Sequence, residues 1–413
     1  MKLIKLILLL SLSSSFIYAT NGANLIGMGA KSRAMGGVGI GIFHGSESVL
    51  ANGALLTQME GTEVSFGGTL FLPTIQANKT PTEAFVTSSS DTNMIPEVSM
   101  ATKINEHWYA GVGVWGVAGM GTNYVIGKKS DVQLNNFGMS TNLQLLQIGF
   151  PIAFKIHSIS LAFTPIVMYG NLTINYDPTS GQSTPPEVGL SQNVGGGFAL
   201  GFLYDFEELE IEGLKFGLNY KSSIALDYKN QISRATQPFK GFGIDLSDTL
   251  SQPAELGIGT SYTYENHSIA FDIKDTFWSS AQGYGGFGWE DGIVYATGYQ
   301  YKTENWSVRV GYNYGKSVVI NLPNAKTSPK ASALNVFNIL GFPATAEQHL
   351  TFGGSYKVNN NFSVDIGVVY QTESELTVDS IALREPFRDP TFPEKITSTH
   401  QETSTTLQLV YNF

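Results

Sequence analysis

The sequence predicts an all-β fold: a 14-stranded antiparallel transmembrane β-barrel with an N-terminal hatch plugging the lumen. Three observations predict it. Apolar or aromatic residues recur at every second position in fourteen short segments, the period of a strand and not of a helix. The links alternate in length, about two to seven residues within a pair of segments and roughly a dozen to thirty between pairs, as periplasmic turns and extracellular loops do. The last segment, Thr405, Leu407, Leu409, Tyr411, Phe413, carries the alternation to a terminal aromatic.

Taken from the start of the chain, Met1 to Ala19 has Lys2 and Lys5, an apolar run from Leu6 to Leu12 and a small residue at Ala19, so residues 1–19 read as a cleavable signal peptide. No later stretch is apolar for long enough to make a membrane-spanning helix, so an exported chain of this kind stays soluble or enters a second membrane as a barrel. The mean hydropathy of −0.01 fits the barrel, because lumen-facing polar residues cancel lipid-facing apolar ones in an average. Residues 20–62 are glycine-rich and lack alternation, and residues 63–413 hold the strands. A barrel this wide is not filled by its own side chains, so residues 20–62 are the available plug.

From Glu63 to Leu72 runs the first strand, and the third, from Tyr109 to Tyr124, is rich in glycine. Leu146, Ile148, Phe150, Ile152, Phe154 and Ile156 are apolar at every even position. After a tight turn at His157 and Ser158 the pattern resumes on odd positions with Ile159, Leu161 and Phe163, a hairpin signature. The same device continues through Phe216–Tyr220, Leu256–Tyr264, Ile269–Ile273, Trp306–Tyr314 and Val364–Tyr370. Lys221, Glu255, Asp272, Lys274, Arg309 and Asp365 lie on the opposite phase, as a two-signed lumenal set that holds the hatch. A soluble sandwich alternates in the same way with its apolar side inward. The signal, the even strand number and tyrosines gathered at strand ends (Tyr262, Tyr264, Tyr299, Tyr301, Tyr312, Tyr314, Tyr370) favour the membrane. The terminal Phe413 on an alternating strand resembles the insertion signal read by the barrel-assembly machinery of bacterial outer membranes.

The hatch carries Gly27-Met28-Gly29, Ser32-Arg33-Ala34-Met35-Gly36-Gly37 and Asn52-Gly53-Ala54-Leu55-Leu56. Further on come Asn219-Tyr220-Lys221-Ser222, Pro253-Ala254-Glu255-Leu256-Gly257, Asn305-Trp306-Ser307-Val308-Arg309-Val310-Gly311 and His349-Leu350-Thr351-Phe352-Gly353. In order and spacing these resemble the FadL/TodX family of outer-membrane transporters for long-chain fatty acids and hydrophobic compounds. The resemblance implies passive uptake through a plugged lumen, with lateral exit into lipid where the third strand is kinked inward. It assigns the moving part of the hatch to Asn52, Gly53, Ala54, Leu55 and Leu56. The family usually has proline at the position of Gly53, so a looser hatch is expected. The lateral opening falls on Gly111, Gly113, Gly116 and Gly119, since glycine in a strand marks a bend or a close backbone approach; the alternative is room for the plug.

Other chemistry is weakly signalled. Gly111 to Gly116 formally matches a dinucleotide fingerprint but lies in a strand, and Gly315-Lys316-Ser317 lacks phosphate-loop spacing. Histidines at 44, 107, 157, 267, 349 and 400 show no paired ligand spacing and read as solvated turn residues. Neither an enzyme, a metal nor a cofactor is expected, and the absence of cysteine removes disulfides and thiolate sites. A net charge of −10 argues against nucleic acid. Leu334, Phe337 and Leu340 stand at helical spacing in a loop, as an extracellular apolar surface or a helix folded on the barrel rim. Arg309 and Lys316 are the candidate partners for a substrate carboxylate. The expected setting is a monomer in a Gram-negative outer membrane, among lipid and lipopolysaccharide; a polar-solute porin and an adhesive surface barrel are the competing readings.

Overall fold

The computed structural model describes residues 21–79, 83–124, 138–176 and 189–413; the expected signal peptide lies outside them. Fourteen strands form the wall: β1 (Thr62–Asn78), β2 (Asn93–Lys103), β3 (Trp108–Met120), β4 (Met139–Gly149, continued by Ile152–Ile156), β5 (Ile159–Tyr176), β6 (Ser191–Asp205) and β7 (Leu214–Lys221) come first. Then follow β8 (Glu255–Tyr264), β9 (His267–Thr276), β10 (Gly292–Lys302), β11 (Trp306–Gly315), β12 (Gln348–Lys357), β13 (Phe362–Asp379) and β14 (Lys395–Asn412). Neighbours pair antiparallel, and β14 returns to β1 from Glu63↔Asn412 to Asn78↔Thr397. That pairing closes the sheet on itself, the condition for a sheet to stand in lipid.

The alternation settles which way the wall faces. Phe66, Phe163, Ile258, Phe271, Val310, Phe352, Ile366 and Leu407 are large, apolar and exposed on the outside. Ser65, Thr69, Ser160, Ser261, Thr406 and Gln408, on the opposite phase of the same strands, are buried inside. That is the inverse of a soluble sandwich. Exposed Trp108, Tyr262, Tyr264, Trp306, Tyr356 and Tyr411 ring the short-turn end, and Tyr295, Tyr312 and Tyr314 ring the other. No helix among the described residues is long and apolar enough to cross a membrane.

Two boundaries differ from the sequence reading for a common reason. β1 runs six residues beyond Leu72, to Asn78, and β14 begins at Lys395, ten before Thr405. Those extensions are rich in Thr, Ser, Gln and Glu because they stand beyond the apolar band, where the outward face no longer has to be greasy. The single segment expected through Leu146 to Ile156 is broken at Phe150 and Pro151, since proline has no N–H for the ladder. The phase survives the break: Phe150, Ile152 and Ile156 all stay outside.

Inside the bore sit residues 21–61, almost all buried, with one short helix, α1 (Ala30–Ala34), and two 3-10 turns, Gly45–Val49 and Gly53–Gln58. The wall accommodates this backbone with glycine. A Cβ at Gly367 would fall 2.5 Å from the Ala30 carbonyl, so any side chain there would push the hatch away. At the long-loop end, a second helix, α2 (Pro329–Gly341), is started by Ser328, whose hydroxyl accepts from the Ala331 N–H at 3.3 Å, and by Pro329 at its first turn.

Candidate functional site

Lumenal charges hold the hatch. Asp272 Oδ2 accepts from the backbone N–H groups of Gly39 (2.8 Å) and Ile40 (3.0 Å), and Lys274 Nζ donates to the Ile26 carbonyl at 3.3 Å. Lys31 Nζ lies 3.2 Å from both Glu47 and Asp365, tying hatch to β13. Burial alone lowers the Lys31 ammonium, but the carboxylates of Asp365, Glu47 and Glu63 outweigh it and hold the pKa above its ordinary value. Burial, and then the Arg309 charge, push the His44 imidazole down to about 3, so it sits neutral with Nε2–H donating to the Val38 carbonyl at 2.9 Å. Arg309 itself donates to two wall residues, Gln300 Oε1 and Ser355 Oγ, each at 2.7 Å.

The wall is incomplete at β3. Its ladder with β2 runs from Lys103↔Tyr109 to Glu97↔Trp115 and stops there, although β2 continues four residues further, to Asn93, paired only with β1. Above Trp115, β3 shifts register between Gly116 and Ala118. Its backbone then bonds the hatch instead: Leu25 N–H donates to the Val117 carbonyl and Gly119 N–H to the Ala23 carbonyl, both at 3.2 Å. The plug thus satisfies ladder groups that β2 has given up, which a backbone at this depth requires. A cavity of about 440 Å³ opens at the gap. Its lining includes outward-facing Met94, Pro96, Gln144 and Leu146 together with lumenal Leu25, Leu143, Leu145, His400 and Glu402, so it reaches through the wall.

The four glycines proposed for a lateral opening divide by position. A Cβ at Gly111 would meet Val49 Cγ2 at 2.8 Å and Leu56 Cδ1 at 3.1 Å, so that glycine makes room for the plug. Gly113 accommodates the Trp115 ring, 1.9 Å from where its Cβ would be. Gly116 and Gly119 line the cavity, the first against Ile95 and the second with only the Leu143 carbonyl nearby. Among Asn52 to Leu56, Asn52 accepts from the Ala54 N–H at 3.1 Å and donates to the carbonyls of Ile40 (2.8 Å) and Phe202 (3.1 Å), and Leu55 and Leu56 are fully buried. A Cβ at Gly53 would stand 3.0 Å from both Pro151 and Thr164, so this segment is closely seated where a looser one was expected.

The remaining candidates lie elsewhere. Leu334, Phe337 and Leu340 are on α2 but buried, not presented to solvent: Phe337 stacks on Phe287 with centroids 4.9 Å apart, and the helix lies on the barrel rim. Its last carbonyls, Leu340 and Gly341, accept from the hydroxyls of Thr122 and Thr141, which places its end over the wall gap. Lys316 is exposed, 3.7 Å from Glu290, and with Arg309 falls outside the cavity lining. Phe413 is exposed at the short-turn end, edge-on to Tyr411 at 4.9 Å. Reading the histidines as solvated turn residues holds for positions 107, 157 and 267 but not for His44, His349 and His400, which are buried. The phase of β14, carried back from Thr406 through Ser404, marks Glu402 and His400 as lumenal. The pairing of Ala23 and Leu25 with β3 had no such signal, because it joins a segment without periodicity to a distant strand.

Residues 18–413 match the family described as outer membrane protein transport protein (OMPP1/FadL/TodX). Among solved structures, the Pseudomonas putida toluene transporter TodX is similar at 16% identity, TM-score 0.65, over 97% of this chain and 100% of that one. A Pseudomonas aeruginosa FadL homologue is similar at 14% identity, TM-score 0.66, over 97% and 100%. The Ralstonia pickettii toluene transporter TbuX is similar at 17%, TM-score 0.62, over 94% and 99%. No curated protein matches the sequence.

Proposed function

Since this chain belongs to the outer membrane protein transport family OMPP1/FadL/TodX, we propose that it takes up hydrophobic molecules across the outer membrane by diffusion, without catalysis, and releases them sideways at β3. The observation that carries this is the unpaired stretch between β2 and β3, with a cavity through the wall whose lumenal side is closed by the hatch. Burying a methylene gains roughly 0.8 kcal/mol, so a passenger of a dozen carbons resists release into water by about 10 kcal/mol. A route from the cavity into surrounding lipid avoids that cost. A route down the bore does not, because the plug stands in the way and polar residues line the far end, including Lys302, Glu304 and Asp365. Similar proteins named as toluene transporters and as a FadL homologue support the class of cargo; fatty acids and aromatic hydrocarbons both fit beside the apolar part of the lining, Leu25, Phe71, Ile75, Leu143 and Leu145.

A reversible staple tests the exit. A Cβ at Gly116 would stand 3.6 Å from Ile95 Cβ, within the spacing a disulfide needs, and the chain has no cysteine of its own. In the I95C/G116C variant, uptake of a hydrophobic probe into cells or liposomes is expected to fall about tenfold when oxidised and to recover on reduction. Equal uptake in the two redox states would refute the side exit.

A further inference from the structure

At the lumenal end of the wall cavity, His400 Nε2 lies 2.9 Å from Glu402 Oε1, both side chains being almost wholly buried. Apart from that carboxylate, neither ring nitrogen of His400 has a hydrogen-bond partner among the described residues, which leaves Nδ1 unsatisfied beside Phe71, Ile75, Leu143 and Leu145, an expensive arrangement. The backbone is built around this residue. β13 carries a bulge between Gln371, opposite Glu402, and Ser374, opposite His400, and both of those side chains donate to the His400 carbonyl, at 3.1 and 3.2 Å. Bulges of this kind re-aim a side chain. The nearby cation, Arg33, already donates to the Gly27 carbonyl and to Ser404.

Resting on the transport reading above, we propose that His400, seated beside Glu402, is a head-recognition point and that the favoured passenger is an apolar body bearing a single hydroxyl, an alcohol or a phenol. With Nε2 facing Glu402, His400 Nδ1 is left to serve a ligand, and a hydroxyl, both donor and acceptor, answers either role of that nitrogen. A bare hydrocarbon leaves Nδ1 unpartnered, and an anionic head meets the neighbouring carboxyl. The outer rim fits the same passenger: Gln144 and Asn171, hydrogen-bonded to each other at 3.1 Å, lie beside Met94 and Leu146, so polar and apolar surfaces meet at the opening.

The test uses the full chain in detergent and compares the Kd of 4-butylphenol, butylbenzene and 4-butylbenzoate by calorimetry. The phenol-over-hydrocarbon ratio is expected to be about tenfold in the wild type. It should fall near one in His400→Phe and be partly kept in His400→Gln, which retains a donor and an acceptor. A purely structural role for His400 would move the phenol and hydrocarbon constants together and leave their ratio unchanged, which would overturn the proposal. Tighter binding of the benzoate than of the phenol would overturn it too. Equal binding of phenol and hydrocarbon by the wild type removes the head site alone. Indifference of uptake to the Ile95–Gly116 staple removes the transport route beneath it.

Discussion

Lys31 brings two strategies of a plugged barrel into one side chain: it neutralises carboxylates on the hatch and on the wall at once, 3.2 Å from Glu47 and from Asp365. Removing the cation leaves two buried acids facing each other, a defect that costs about 3–5 kcal/mol when one partner of a buried pair is deleted. Lys31→Met is therefore expected to keep a folded barrel with a loosened hatch, seen as faster proteolysis of residues 21–61 and as flickering ion conductance in planar bilayers. Gly37 is a second point of dependence. Its φ of 86° is a left-handed conformation, and a Cβ there would fall 2.0 Å from the Ile26 carbonyl, so the turn admits no side chain. The importance of glycine in the hatch was legible from composition. The partners of Lys31 were not, because Asp365 lies 334 positions away in the sequence.

Among the elements, β3 and α2 carry the site between them. β3 changes partner from β2 to the hatch, and α2 closes over the resulting gap through Thr122 and Thr141. In T122V/T141V two helix-terminal carbonyls lose their donors, at about 1–3 kcal/mol for each buried group left unpaired. Hydrogen exchange of residues 330–345 is expected to accelerate while that of β8 to β12 is unchanged; equal protection in the variant would show that packing of Phe337 and Phe342 alone holds the helix. Strand existence and phase were readable throughout, since each face meets a different solvent. Strand ends were not, because β1, β13 and β14 continue above the apolar band with polar residues on their outer face. The helical spacing of Leu334, Phe337 and Leu340 was also visible, but whether that face meets water or the aromatic rings of neighbouring loops is decided by segments far off in sequence.

For the molecule as a whole, the plug sets the difference between a transporter and a pore. Wild-type protein is expected to show almost no steady conductance in planar bilayers, and deletion of residues 21–59 to open a constant ion current; a wild type that conducts steadily would favour the porin reading. The sequence by itself determined a fourteen-stranded barrel, its apolar outside and a leading segment to fill it, because a two-residue period and the alternation of short and long links are local properties written into consecutive residues. It marked Gly111, Gly113, Gly116 and Gly119 as a bend or as room for the plug, without saying that Gly111 and Gly113 lie against packed side chains while Gly116 and Gly119 line the cavity. Only the tertiary structure decided where the wall opens, which buried histidine faces that opening and how the hatch is fastened. Each of those depends on groups hundreds of residues apart, brought together by barrel closure and by a plug whose irregular backbone has no period to read.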